Sequence, residues 1–310
     1  MKQIWSAIKS FLRWFILGGT LFFVLKAFKD HWREVAAIRI DSAGWIMLVI
    51  ALIITLFAHI WSGWVWTWIL KIFQQPLGQK QAIKVYLKTN IAKYLPGNVW
   101  HFYGRILAVY KAGGSLGAAS LSVLLEPILM AASALLIALI SSGFGWITTA
   151  SDKCILGLQI IILMGVLLAI HPRIIDPVVH LLSRLKGNAK DTDKVKINKY
   201  PLLPLLGELG FLILRGTGFL FVLLALMSVN HNQIPQLLSV FSFAWLLGLI
   251  VPGAPGGLGV FEATVIALLD NQNFPAAIIL SGVALFRVVS ILAEIAAAGI
   301  AWLSEGSYRT

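Results

Sequence analysis

Seven ionisable residues fall inside or beside long apolar stretches of this chain: Arg105, Glu126, Glu208, Arg215, Glu262, Arg287 and Glu294. A charge at the centre of a membrane helix costs ~2.5–3.5 kcal/mol on insertion scales, so each one asks for a reason. Glu208 and Arg215 are seven residues apart, as are Arg287 and Glu294. Seven residues make two helical turns, which puts each pair on one face but about 10 Å apart. Neither pair can bond directly, so the partners must come from other helices or from a cavity. Arg105, Glu126, Arg215, Glu262 and Arg287 are therefore the candidate binding and translocation residues, with an anionic head group as the ligand able to compete for an arginine. The competing reading is a fixed ion pair between helices.

No catalytic residue is assigned, and no metal site or cofactor is read. The six histidines are scattered, and the single cysteine, Cys154, cannot form an internal disulfide. The spacing from His171 to Asp176 matches an H-x4-D pattern, and Asp191 and Asp193 form a DxD pattern. Both belong to a loop of about 28 residues, too short to fold a catalytic domain.

Two Pro/Gly breaks interrupt apolar or amphipathic sequence. The first contains Pro96 and Gly97; the second contains Pro255, Gly256, Gly257 and Gly259. Non-helical backbone at membrane depth must be buried in protein or line a wet cavity. Half-helix ends there would aim backbone N–H groups at whatever sits beyond them, and a lipid phosphate suits that position. Arg105 follows Pro96 by 9 residues and Glu262 follows Pro255 by 7; Glu126 follows Pro96 by 30 and Arg287 follows Pro255 by 32. Equivalent places thus carry opposite charges. The expectation is that Arg105 or Arg287 faces Glu262 or Glu126 across the two halves.

The run from Pro255 to Glu262 (PGGLGVFE), with Tyr94-Leu-Pro-Gly far upstream, resembles the lysylphosphatidylglycerol synthase transmembrane-region family. The resemblance spans nearly the whole chain. It implies a bacterial or archaeal cytoplasmic-membrane protein that handles lipid head groups. In fused members the membrane domain translocates an aminoacylated phospholipid made by a soluble C-terminal domain. Only seven residues follow Leu303 here, so the expectation is a member without that domain.

These residues need a scaffold, and composition says which. Of 310 residues, 59% are apolar and 12% are charged, and the mean hydropathy is +0.86. A soluble fold would lack the polar residues to cover its surface, which excludes soluble enzymes, disordered chains and disulfide scaffolds. Six segments are apolar enough to span: 11–28, 45–73, 116–147, 155–170, 202–229 and 275–303. The fold expected is all-α, a polytopic transmembrane helix bundle of six to eight spans in a single domain, 1–310. The two broken segments either re-enter or span fully.

The net charge of +12 concentrates in residues 71–111 and 172–199, each with seven Lys/Arg, whereas 229–275 has none. The positive-inside rule then puts the basic regions and both termini in the cytoplasm and excludes a nucleic-acid surface. Shifting the chain by 159 residues lays Pro96 on Pro255 and the second span on the fifth. Halves 1–150 and 151–310, each with an odd number of crossings, would form an inverted repeat of the kind found in secondary transporters. Lys80, Lys84 and Lys88 recur every four residues; with Lys93 they suit a helix lying on an anionic leaflet. Trp61, Trp64, Trp66 and Trp68 read as an interfacial anchor.

The function expected is movement of a phospholipid or polyprenyl-linked lipid between leaflets of the cytoplasmic membrane, with membrane lipids as partners and no enzymatic step. The alternatives are a membrane-embedded lipid-dependent transferase or an accessory subunit without transport.

Overall fold

The computed structural model describes residues 29–95, 99–142, 150–171, 200–251, 254–269 and 274–306, with isolated residues 22, 25, 26 and 173. Most of the first expected span, almost all of the basic loop 172–199, and Pro96 and Gly97 lie outside the described residues. The described residues form helices and no strand. The chain is a polytopic helix bundle.

A short helix, α1 (Trp32–Ala37), precedes α2 (Ser42–Ile72). Asp41 caps α2: its Oδ1 accepts from the Gly44 N–H at 2.7 Å, satisfying one of the donors a helix start leaves free. Then come α3 (Gln79–Asn90), a 3-10 turn (Ile91–Tyr94), α4 (Trp100–Lys111), α5 (Leu116–Ser142) and α6 (Ala150–Ala169). The second set is α7 (Leu202–Leu224), α8 (Ile234–Ile250), a 3-10 turn (Pro255–Gly257), α9 (Val260–Leu268) and α10 (Ala276–Gly306).

Helices α2 and α7, α4 and α9, and α5 and α10 start 160 residues apart in each case. Each set is a long helix, a broken pair and a second long helix.

Among the described residues, five helices are long and apolar enough to cross a membrane: Ser42–Ile72, Leu116–Ser141, Leu202–Leu224, His231–Ile250 and Ala276–Ser304. Four were expected. The fourth of the new set, α8 with the 3-10 turn before it, had been read as half of a broken segment. Its 20 residues make it a full-length span, because the Pro/Gly run falls after it and not within it. The segment expected at 155–170 falls on α6 (Ala150–Ala169), of which Gly157–Ala169 is apolar.

Helices α2 and α7 pack along one another, α5 packs on α8, and α10 packs on α2 and α3. Close approach of α2 and α7 is possible because Gly207 has no side chain. A Cβ there would stand 2.6 Å from Val65 Cγ2. With lipid outside and side chains inside equally apolar, such small-residue contacts are the main source of helix association. The second set is knit by Phe219, Phe241, Phe261 and Phe286, whose ring centroids lie 5.3–6.2 Å apart. These rings come from α7, α8, α9 and α10, and they form the wall on which the charged residues rest.

Candidate functional site

In the first set, α4 carries Arg105 and α5 carries Glu126, both buried. Arg105 Nη1 donates to Glu126 Oε2 at 2.7 Å. The other carboxylate oxygen accepts from the Tyr86 hydroxyl at 2.7 Å, which leaves the Ser62 hydroxyl, 2.7 Å away, to donate to the phenol oxygen. The Arg105 guanidinium carbon lies 3.7 Å from the Tyr86 ring centroid and 5.7 Å from that of Trp66. A buried ion pair survives desolvation only when its remaining donors and acceptors are met, and here they are. Pro127 follows Glu126 inside α5, where it removes one backbone donor beside the pair.

In the second set the charges are exchanged: the short helix α9 carries Glu262 and the long helix α10 carries Arg287. Arg287 Nε donates to Glu262 Oε1 at 2.6 Å. Glu262 Oε2 accepts from the Gly259 N–H at 2.8 Å, and Arg287 Nη1 donates to the Gly256 carbonyl at 3.1 Å. The pair therefore ties the second break to α10. Gly256 has φ +59°, a left-handed conformation that side chains disfavour, and a Cβ there would meet Tyr94 Cε1 at 2.8 Å. Tyr94 closes the first 3-10 turn, so the two breaks touch.

The two sets are joined by charge at one further point. Lys93, just before the first break, donates to Glu294 Oε1 on α10 at 2.6 Å. His59 Nε2 on α2 lies 3.4 Å from the same oxygen. His101 on α4, outside the five spanning helices, has its pKa pushed down to about 3 by burial first and by the Arg105 and Lys93 cations next. It adds no charge at neutral pH.

These groups surround a cavity of about 300 Å³, lined by Lys93, Arg105, Arg215, Arg287 and Glu126 together with aromatic side chains. Three of the four cations have a carboxylate partner. The fourth does not: Arg215 on α7 is buried, Nη2 donates to Ser290 Oγ at 3.0 Å, and Nε and Nη1 have no acceptor among the described residues. The faces of Trp245 and Phe286 lie 5.1 and 4.8 Å from its guanidinium carbon. Those rings favour the cation but accept no N–H in the plane of the fork. The cavity thus holds one guanidinium without a carboxylate partner among the described residues, with three N–H donors open.

The expected residues come together, with corrections. Arg105, Glu126, Arg215 and Arg287 line one cavity with Gly256 and Gly257, and Glu262 sits behind Arg287. The expected pairing across the halves is replaced by pairing within each set. Each arginine meets a glutamate from the adjoining helix of its own set, because the short broken helix packs on the long helix that follows it. Lys93, assigned to a lipid-facing stripe, is instead turned inward to Glu294. Lys84 Nζ donates to the Ser304 carbonyl at 2.9 Å and Lys88 sits 5.6 Å from the Trp302 ring centroid, so part of the stripe docks α3 onto the end of α10. Lys80 is exposed as expected. Trp61, Trp64 and Trp68 cluster with centroids 6.0–6.3 Å apart, Trp61 edge to face with each of the other two. Trp66 does not join them; it is fully buried against Arg105.

Sequence reasoning missed Tyr86, Ser62 and His59. Their only signal is a polar atom within an otherwise apolar helix face, which does not distinguish a site from core packing.

A polytopic helix bundle with a charged internal cavity between two broken segments is the class of protein this geometry defines. The chain belongs to the lysylphosphatidylglycerol synthase TM region family, which matches residues 10–298. Comparison with curated proteins finds no match.

Proposed function

We propose that the protein is a lipid translocase of the cytoplasmic membrane, moving a phospholipid or polyprenyl-linked lipid between leaflets without changing it. The observation that carries this reading is Arg215. A buried guanidinium with open donors is costly, and the cost falls when an anion supplies the missing acceptors. A phosphate head group meets that need, and the family's link to membrane phospholipid supports it. Alternating access would use the two touching breaks as the moving contact. Arg287 holds one break to α10 and Lys93 holds the other, so a head group drawing on either arginine or lysine would loosen a break.

The test is reconstitution into liposomes with fluorescently tagged phosphatidylglycerol and a membrane-impermeant quencher. The expected result is leaflet exchange of chemically unaltered lipid, lost at least tenfold in Arg215→Gln while the folded yield stays normal. A modified lipid would favour the transferase alternative, and normal exchange in Arg215→Gln would remove the head-group role.

A further inference from the structure

A second buried ionisable group is unused by the mechanism above. Glu208, on α7, has no exposed surface, and neither carboxylate oxygen has a donor among the described residues. It sits two turns before Arg215 on the same helix, about 10 Å away by helical rise. The charged groups felt by Glu208 are Glu126 on α5 and Arg105 on α4, and Tyr86 on α3 in turn feels Glu208. Of the other helices packed on α7, α2 contributes His59 and α10 contributes Arg287 and Glu294; α8 carries no ionisable side chain. Glu126 is already saturated by Arg105 and Tyr86, Glu262 by Arg287 and Gly259, and Glu294 is held by Lys93.

A charge count follows. The buried cluster has four cations, Lys93, Arg105, Arg215 and Arg287, against four carboxyls, Glu126, Glu208, Glu262 and Glu294. Three pairs are made, and Arg215 and Glu208 remain apart. With the cavity empty, Glu208 balances Arg215 when it is ionised. With an anion on Arg215, the same ionised Glu208 becomes an uncompensated buried negative charge, and a proton is what restores neutrality.

We propose that Glu208 is a proton site coupled to the anion site at Arg215, its proton occupancy rising as an anionic head group binds and falling as the head group leaves. This rests on the head-group reading of Arg215. Coupling is reciprocal: the bound anion strengthens proton binding at Glu208, and the proton strengthens anion binding at Arg215. At an effective dielectric of about 20, two charges about 10 Å apart influence each other by roughly tenfold in affinity. Proton and head group would move together, so a pH gradient would bias the direction of lipid transfer.

The test uses the purified full chain and dioctanoyl phosphatidylglycerol, titrated calorimetrically in two buffers of different ionisation enthalpy from about pH 6 to about pH 10, a range in which the phosphodiester stays a monoanion. Proton uptake per lipid should pass through a maximum of about one half within that range, and affinity should weaken with rising pH to a total of roughly tenfold. Glu208→Gln should bind with no uptake assignable to this site and with the tighter, low-pH affinity throughout. Glu208→Asp, which keeps the carboxyl, should keep the uptake and shift its midpoint; it serves if the glutamine variant does not fold. Lipid binding by the wild type without proton uptake, or uptake that persists in Glu208→Gln, overturns the coupling and leaves the head-group reading standing. No lipid binding at any pH overturns the head-group reading, and the coupling with it.

Discussion

The two ion pairs, Arg105 with Glu126 and Glu262 with Arg287, are built from the same parts with the charges exchanged between short and long helix. They differ in enclosure. The Arg105 and Glu126 side chains are 2% and 5% exposed, and those of Arg287 and Glu262 are 18% and 9% exposed. The first pair is roofed by Tyr86 and Trp66. The second bonds directly to the Gly256 carbonyl. One pair is a fixed fastening of α4 to α5. Both pairs reach the cavity, through Arg105 and Glu126 in one and Arg287 in the other, but the second also holds a backbone break, where a ligand can compete for it. Residue type alone does not separate a structural ion pair from a movable one; what separates them is how many further partners each charge has.

Truncating the arginine in each pair tests that contrast. Arg105→Ala leaves Glu126 buried without its cation and should cost about 3–5 kcal/mol, seen as a loss of thermal stability in detergent. Arg287→Ala should cost less, about 1.5–3 kcal/mol, because Glu262 keeps the Gly259 N–H and gains water. Equal losses would break the comparison. Gly256→Ala introduces a side chain at a left-handed position against Tyr94 and should cost about 1–3 kcal/mol, with a larger effect on lipid exchange than on unfolding. The smallest effect belongs to Lys80→Ala on exposed α3, which should leave stability unchanged and weaken binding to anionic vesicles by about 1 kcal/mol. A stability loss there would show that the whole lysine stripe, and not only Lys84 and Lys88, fastens α3 to α10.

Much of the scaffold is legible in sequence because lipid imposes simple demands. Helices such as 45–73 and 275–303 stand out as apolar runs of spanning length, and Pro255 with its glycines marks a break wherever it falls. The candidate charges stand out because charge is rare in such segments. Contact is less legible. The 159-residue shift identifies equivalent positions, but equivalence is not proximity: the expectation that Arg105 or Arg287 faces Glu262 or Glu126 across the halves gives way to a pair within each set. Packing is decided by which helix follows which, and a short broken helix lies on its successor. Lys93 reads like Lys80 along the chain, and only the turn at Ile91–Tyr94 carries it inward to Glu294. Tyr86 and Trp66 look like ordinary core aromatics until Arg105 is seen between them.

The contact of Gly256 with Tyr94 has a mechanical consequence. The ring and the glycine meet like two struts butted end to end, with no bond across the joint. Such a joint resists compression and offers nothing against separation or sliding. It is therefore a hard stop: the breaks can part to widen the cavity, but they cannot approach further. A side chain at position 256 would meet the Tyr94 ring and hold the two breaks further apart.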